Sequence, residues 1–405
     1  PLYSSAASDV YKRQGLHILP NLLEVNLASE KNAVLTSFAW TLSVIILVIG
    51  SQNNEIGPVN VILLGTGLNL VVTIAIIANQ LLTKASSTVE LATPGWLIIF
   101  GLIGNPIAVI SVFLSGEYDS GLGQWLVYHL SGATFFFSSI AGISLYSASF
   151  GSGNPLWSRT VAGVVILGTI FTINPFGNSD PSMAIDMLGL TSAELILSHQ
   201  DNVAGSFLMA LAIIPIIALS SNILITLRGT DIFVENPDSA GIPEINFGAW
   251  MLLPLGVASL FIQTDTLSGT NELVGISNIL HLMVIWTILI PLSMGAAIQV
   301  LPSVSGRYPL SQNRARLAFW MISAGALFGL VLTMMSDIAD VVLIEASIEG
   351  QNALSHTLRK AGSVIFYGTV LGSIFHSTNL FSGLYRGSKV SSTKSPSETT
   401  FKIDL

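Results

Sequence analysis

The chain is 405 residues long, with 51% hydrophobic residues, a mean hydropathy of +0.70, only 9% Asp, Glu, Lys and Arg, and a formal net charge of −8. So few charges exclude a water-soluble surface around a core of this size, and the sparse, dispersed bases exclude nucleic-acid recognition. The absence of Cys excludes disulfides, thiolate metal sites and iron–sulfur ligation, which leaves six His as the only soft ligands.

Residues 1–14 (PLYSSAASDVYKRQ) share neither the apolarity nor the periodicity of the rest of the chain, and they begin with Pro1. They read as a non-native segment, so the natural start is expected to be missing. Residues 15–32 read as a cytoplasmic lead-in. From 33 to 385 the chain is a succession of apolar runs, each of about 17–25 residues, the length that crosses a hydrocarbon core. They fall near 33–50, 58–82, 94–115, 123–147, 159–176, 203–227, 246–264, 273–301, 316–335 and 361–385. Residues 386–405 form a polar tail. The expected fold class is an all-α membrane protein, a polytopic bundle of about ten transmembrane helices.

If the spans alternate in direction, Lys31, Lys84, Arg159, Arg228, Arg307, Arg314, Arg316, Arg386, Lys389, Lys394 and Lys402 share one side. The opposite loops carry only Arg359 and Lys360, so the positive-inside rule puts both ends of the chain in the cytoplasm, with a prokaryotic inner membrane as the expected location. Those opposite loops hold acids from Glu55 and Glu117 to Glu345 and Glu349. That face reads either as a solvated, repelling surface or as a field steering a basic soluble partner such as a cytochrome c.

No Asp, Glu, Lys or Arg stands well inside a predicted span, which argues against an ion-coupled pump or a voltage sensor. The spans do contain His129, His281 and His376. A neutral imidazole in lipid either bonds a nearby carbonyl or hydroxyl or ligates iron or copper. His129 lies in the first third of its span from the outer side, beside Ser131, and His281 follows Asn278 in the outer third of its own. His376 stands towards the cytoplasmic end of the last span, where capping or an interfacial hydrogen bond is expected. His199, His356 and His17 read as loop or interfacial residues, and Asn69, Asn222 and Gln299 as polar groups that bind neighbouring helices. No Gly-rich phosphate cradle follows a strand, and no internal repeat of the transporter kind is present.

The segment from 269 to 335 carries Met294-Gly295, Leu301-Pro302, Gly306, Arg314 and Arg316, and it resembles helices X and XI of the catalytic subunit of haem–copper oxidases. The run from Gln124 to Tyr146 is similar, without gaps, to helix VI of the C-type branch of that family, and the spans through Pro215 and the LRG at 227–229 are similar to helices VII and VIII. The resemblance covers about residues 18–385, and it implies that the ten spans are helices III–XII of the usual twelve. It further implies a respiratory oxygen reductase of the cytochrome c oxidase type, with haem and copper as cofactors, other oxidase subunits as partners, and cytochrome c or quinol as electron donor. On this resemblance His129 falls on a copper ligand and His281 is the candidate haem ligand.

The chain departs from the family pattern in three places. The two further copper-ligating His are absent from INPFGNSDPSM at 173–183. Alignment on Met294-Gly295 puts Leu280 and Leu282 at the haem-ligand positions, so His281 needs a one-residue slip, of the kind a local bulge supplies. The family's redox-active Tyr has no counterpart, since Ala133 stands four residues after His129. Alternatives therefore stay open: a non-catalytic relative that has lost its metals, a nitric oxide reductase-like protein, or a small-solute transporter.

Overall fold

The computed structural model describes residues 15–52, 55–56, 59–115, 137–171, 211, 213–230, 241–268, 279–280, 282–345 and 351–390. About 85% of these are helical. In chain order the helices are α1 (15–23), α2 (Glu30–Gln52), α3 (Val61–Ala85), α4 (Thr93–Ser115), α5 (Ser139–Ser152), α6 (Arg159–Phe171), α7 (Ile213–Thr226), α8 (Ile242–Ser268), α9 (Ile290–Ser305), α10 (Gln312–Glu345) and α11 (Gln351–Arg386). Each predicted span overlaps one of α2–α11. Among the described residues five helical stretches are long and apolar enough to cross a membrane: Glu30–Gly50, Leu63–Ala85, Val284–Ser305, Gln312–Asp340 and Ala353–Arg386. Shorter apolar helices lie at Thr93–Gly104, Ile213–Thr226 and Ile242–Ala258. The protein is thus an all-α protein with membrane-spanning character.

The lead-in contains a short helix. In α1, Ile18, Leu19 and Leu23 are completely buried, and Glu24 closes the helix at a φ of 53°. The chain then runs along the end of α3, where Ala28 N donates to Thr83 Oγ1 at 3.0 Å and Asn79 brackets Ser29, its Oδ1 accepting from Ser29 N at 2.9 Å and its Nδ2 donating to Ser29 O at 2.9 Å. Ser29 in turn caps α2, its hydroxyl accepting from Asn32 N at 3.2 Å. Between α2 and α3 a two-stranded antiparallel ribbon, Glu55–Ile56 with Val59–Asn60, turns the chain, and Asn60 Oδ1 caps α3 by accepting from Leu63 N at 2.8 Å.

Helix α5 is the centre of the bundle, because every residue from Ser139 to Ser149 is buried. It packs against α4, α7, α8 and α9. Gly153, at φ +69°, ends it in the left-handed region that a C-terminal glycine adopts without strain.

The α10–α11 hairpin reads inside out by the standards of a soluble protein. Its seam is rich in small and polar residues: Gly325 lies against Thr369, Gly329 against Gly362, Gly372 against Ala318 and Ile322, and Ser336 against Ser355. Phe328, Val364, Tyr367 and Ile374 point outward. In water each such residue would forgo about 1.5–3 kcal/mol of burial, whereas in lipid the cost vanishes and close backbone approach holds the helices together. Ser355, Gly362, Thr369, His376 and Gly383 recur every seven residues, the period of a left-handed helix pair. Both helices run beyond the predicted spans at the acidic end, where Arg359 bridges Asp337 and Asp340, each at 3.0 Å.

Candidate functional site

His129 and His281 lie outside the described residues, as do Ala133, His199 and the 173–183 segment that lacks the expected imidazoles. The flanking elements are described. Helix α5 follows His129, and α9 follows His281. The two helices are direct neighbours, with the Gln299 amide of α9 lying against Gly151 of α5 so closely that a Cβ there would collide with it. Gly295 of α9 makes a second close approach, to the backbone of Gly241 at the start of α8.

A π turn over Val284–Leu289 leads into α9 and stands between His281 and Met294-Gly295. Its hydrogen bond runs from Ile290 N to Ile285 O, five residues back. Pro291 is the local cause. It has no N–H to give to the Thr287 carbonyl, and its ring crowds that carbonyl, so the preceding turn widens. Within the turn Thr287 Oγ1 donates to Met283 O at 2.7 Å. A π turn takes up one residue more than an α turn, so it displaces the register on its N-terminal side by one residue relative to an unbroken helix.

Around the contacts of α5, α8 and α9 several buried polar atoms have no partner. Glu244 Oε2, both amide atoms of Gln299, Ser144 Oγ and Ser147 Oγ have no hydrogen bond. Ser144, Ser147 and Gly151 share one face of α5, and Glu244 Cβ lies 3.1 Å from where a Cβ on Gly295 would stand. Unpaired polar groups are costly in a packed interior, so this set has the chemistry to take up water or a proton. Glu244 falls between the predicted spans 203–227 and 246–264, whereas the fold places it in the first turn of α8 at 3% exposure.

The other polar expectations divide. Asn69 Nδ2 donates to Ser43 Oγ at 3.2 Å and Asn222 Nδ2 to Ser158 O at 2.8 Å, so both join helices, but Gln299 does not. His376 is buried in the α10–α11 seam, and His356 is exposed. His17 Nε2 lies 3.0 Å from both Asn21 Nδ2 and Ser303 Oγ, and burial holds its imidazole below the usual histidine range. Asn21 also hydrogen-bonds Tyr146 of α5, which ties α1 to the central helix. Among the described residues no three His, Asp or Glu side chains come close enough to hold a metal ion. No family model matches the chain, and no curated protein matches it.

Proposed function

We propose that the protein is a divergent catalytic-subunit homologue of the respiratory haem–copper oxygen reductases, taking electrons from cytochrome c or quinol and reducing oxygen to water. The observation that carries this reading is the π turn over Val284–Leu289. The family pattern counted back from Met294-Gly295 puts the haem ligands at Leu280 and Leu282, and a one-residue displacement of the kind this turn introduces would bring His281 into phase with the second of them. The direct packing of α5 on α9 adds support, because in the chain these helices follow His129 and His281.

On this reading His281 would supply one axial imidazole to a haem, which when bound would provide the redox centre. The copper set fits less well. His129 supplies one nitrogen, and the segment 173–183 has no imidazole to complete a stable three-ligand site. That shortage favours a second reading, a relative that keeps the bundle without its metals and serves as a subunit-contact protein.

A pyridine haemochrome spectrum and copper analysis of the purified full-length gene product separate the two. Stoichiometric haem, lost in His281→Ala and also on deletion of one residue from the π turn, is expected for the oxygen reductase. A colourless protein with no porphyrin after gentle extraction overturns it.

A further inference from the structure

A polar file runs along one face of α9. Gly295, Gln299 and Ser303 follow one another at four-residue intervals, about 6 Å per step, and each meets a different element. The Glu244 Cβ of α8 stands 3.1 Å from where a Cβ on Gly295 would be, the Gln299 amide lies against Gly151 of α5, and Ser303 Oγ lies 3.0 Å from His17 Nε2 of α1. Ser303 is exposed, whereas Gln299 is 7% and Glu244 3% exposed. The file therefore leads from the surface into the bundle.

Helix register inclines the Glu244 and Gln299 side chains towards each other. Helices α8 and α9 are antiparallel, because Gly241 packs on Gly295 and Gly248 on Leu292. Helical side chains lean towards the N-terminus of their own helix, so Glu244 leans from the level of Gly295 towards that of Gln299, and Gln299 leans back towards Gly295. The first turn of α8 reaches that level: Ile242 Cδ1 lies 2.9 Å from the position of a Cβ on Gly151, a point that the Gln299 amide also crowds. Ser147 stands one turn before Gly151 on the same face of α5. Yet Glu244 Oε2, both Gln299 amide atoms and Ser147 Oγ have no hydrogen-bond partner. Water with two to four polar partners satisfies such a set, and a buried carboxyl without a cation keeps its proton. Among the described residues no ion pair reaches Glu244. Of the elements packed on α8, α7, α9 and the π turn carry no titratable group, α5 carries Tyr146, which is bonded to Asn21, and α10 brings Arg314 and Arg316 to this end, both exposed.

We propose that Glu244 is a buried, protonated carboxylic acid that exchanges its proton with solvent through water held by Gln299, the entry lying at Ser303 and His17. The carboxyl gives its proton to the bound water and takes one back from it, so no other reactant is consumed. The site is independent of any metal and of the oxygen-reductase reading.

Infrared spectroscopy of the intact protein in lipid at about pH 6, where exposed carboxyls are ionised, tests it. The expected result is a protonated-carboxyl C=O band in the unaltered chain that shifts on transfer to deuterated water, is lost in Glu244→Gln and is moved without being abolished in Glu244→Asp. Gln299→Leu should keep the band and slow its deuterium exchange about tenfold, since the bridging water loses its amide partners. Absence of the band in the unaltered chain overturns the proposal without any variant. A band that survives Glu244→Gln also overturns it, as does undiminished exchange in a Gln299→Leu chain of unchanged helical content. Loss of the band on adding sodium at fixed pH would mark a cation site and overturn it too.

Discussion

His17 shows how one side chain couples docking to pH. Its Nε2 serves Asn21 and Ser303 on different elements, and burial favours the neutral ring. The folded-state pKa is lowered below the free value of 6.5, so the stabilisation is fully present above about pH 6.5 and is lost as pH falls from there towards the folded-state pKa. Hydrogen exchange across residues 15–23 should therefore accelerate between pH 7.5 and pH 5, and His17→Gln should flatten that dependence. Glycines separate conformation from packing in the same way. Gly241, at φ +90°, lies against the Gly295 carbonyl, whereas Gly153, at φ +69°, has open space where its Cβ would be. Gly241→Ala should lower thermal stability in detergent by about 2–3 kcal/mol and Gly153→Ala by about 1 kcal/mol, since only the first adds a collision to the backbone strain.

At the scale of the element, the α10–α11 pair is held by backbone proximity more than by side-chain volume. Gly329 and Gly362 face each other, and a Cβ on Gly362 would come within 2.7 Å of the Gly329 carbonyl oxygen. Gly329→Leu should spread the helices. Because the chain has no Cys, a Ser336→Cys, Ser355→Cys pair gives a clean reading: the Ser336 hydroxyl donates to the Ser355 carbonyl at 2.7 Å, so oxidative crosslinking should be efficient alone and fall several-fold once Gly329→Leu is added. Apolar runs are legible because lipid imposes a length and a composition: five described helices are long and apolar enough to span, and α2, α3 and α10 begin within about four residues of the predicted starts. Helix α1 was not legible, since nine residues of GLHILPNLL are too few to cross a bilayer and acquire a partner only in the assembled bundle. The sequence offered a local bulge only as the means of a one-residue slip before Met294; whether the strain at Pro291 resolves as a kink or a widened turn depends on Thr287, Trp286 and the helices around them. Trp286 packs edge-on against Phe366 at 5.2 Å, which fixes that turn against α11.

At the scale of the molecule, charge and burial combine into a topology that can be tested. The bases of the connecting segments lie at one end of the helices, and Arg359 with Asp337 and Asp340 lies at the other. Ser388→Cys and Thr357→Cys, introduced singly, should label from opposite faces of sealed membrane vesicles with an impermeant maleimide. If the basic end is cytoplasmic, Thr357→Cys reacts in intact cells and Ser388→Cys only in inverted vesicles. Labelling of both from one face would break the alternation on which the ten-span topology stands.

Composition by itself determined that the chain lives in lipid and folds as helices, because 9% charged residues cannot clothe a soluble surface and unpaired backbone is not tolerated in hydrocarbon. It also determined which loops carry the positive charge. The tertiary structure alone decided that Glu244 is buried beside Gly295, that α1 is a packed element, and that the turn widened at Pro291 displaces by one residue the register of the chain that precedes it. These outcomes depend on neighbours far apart in sequence, and residue type alone does not specify which neighbour arrives.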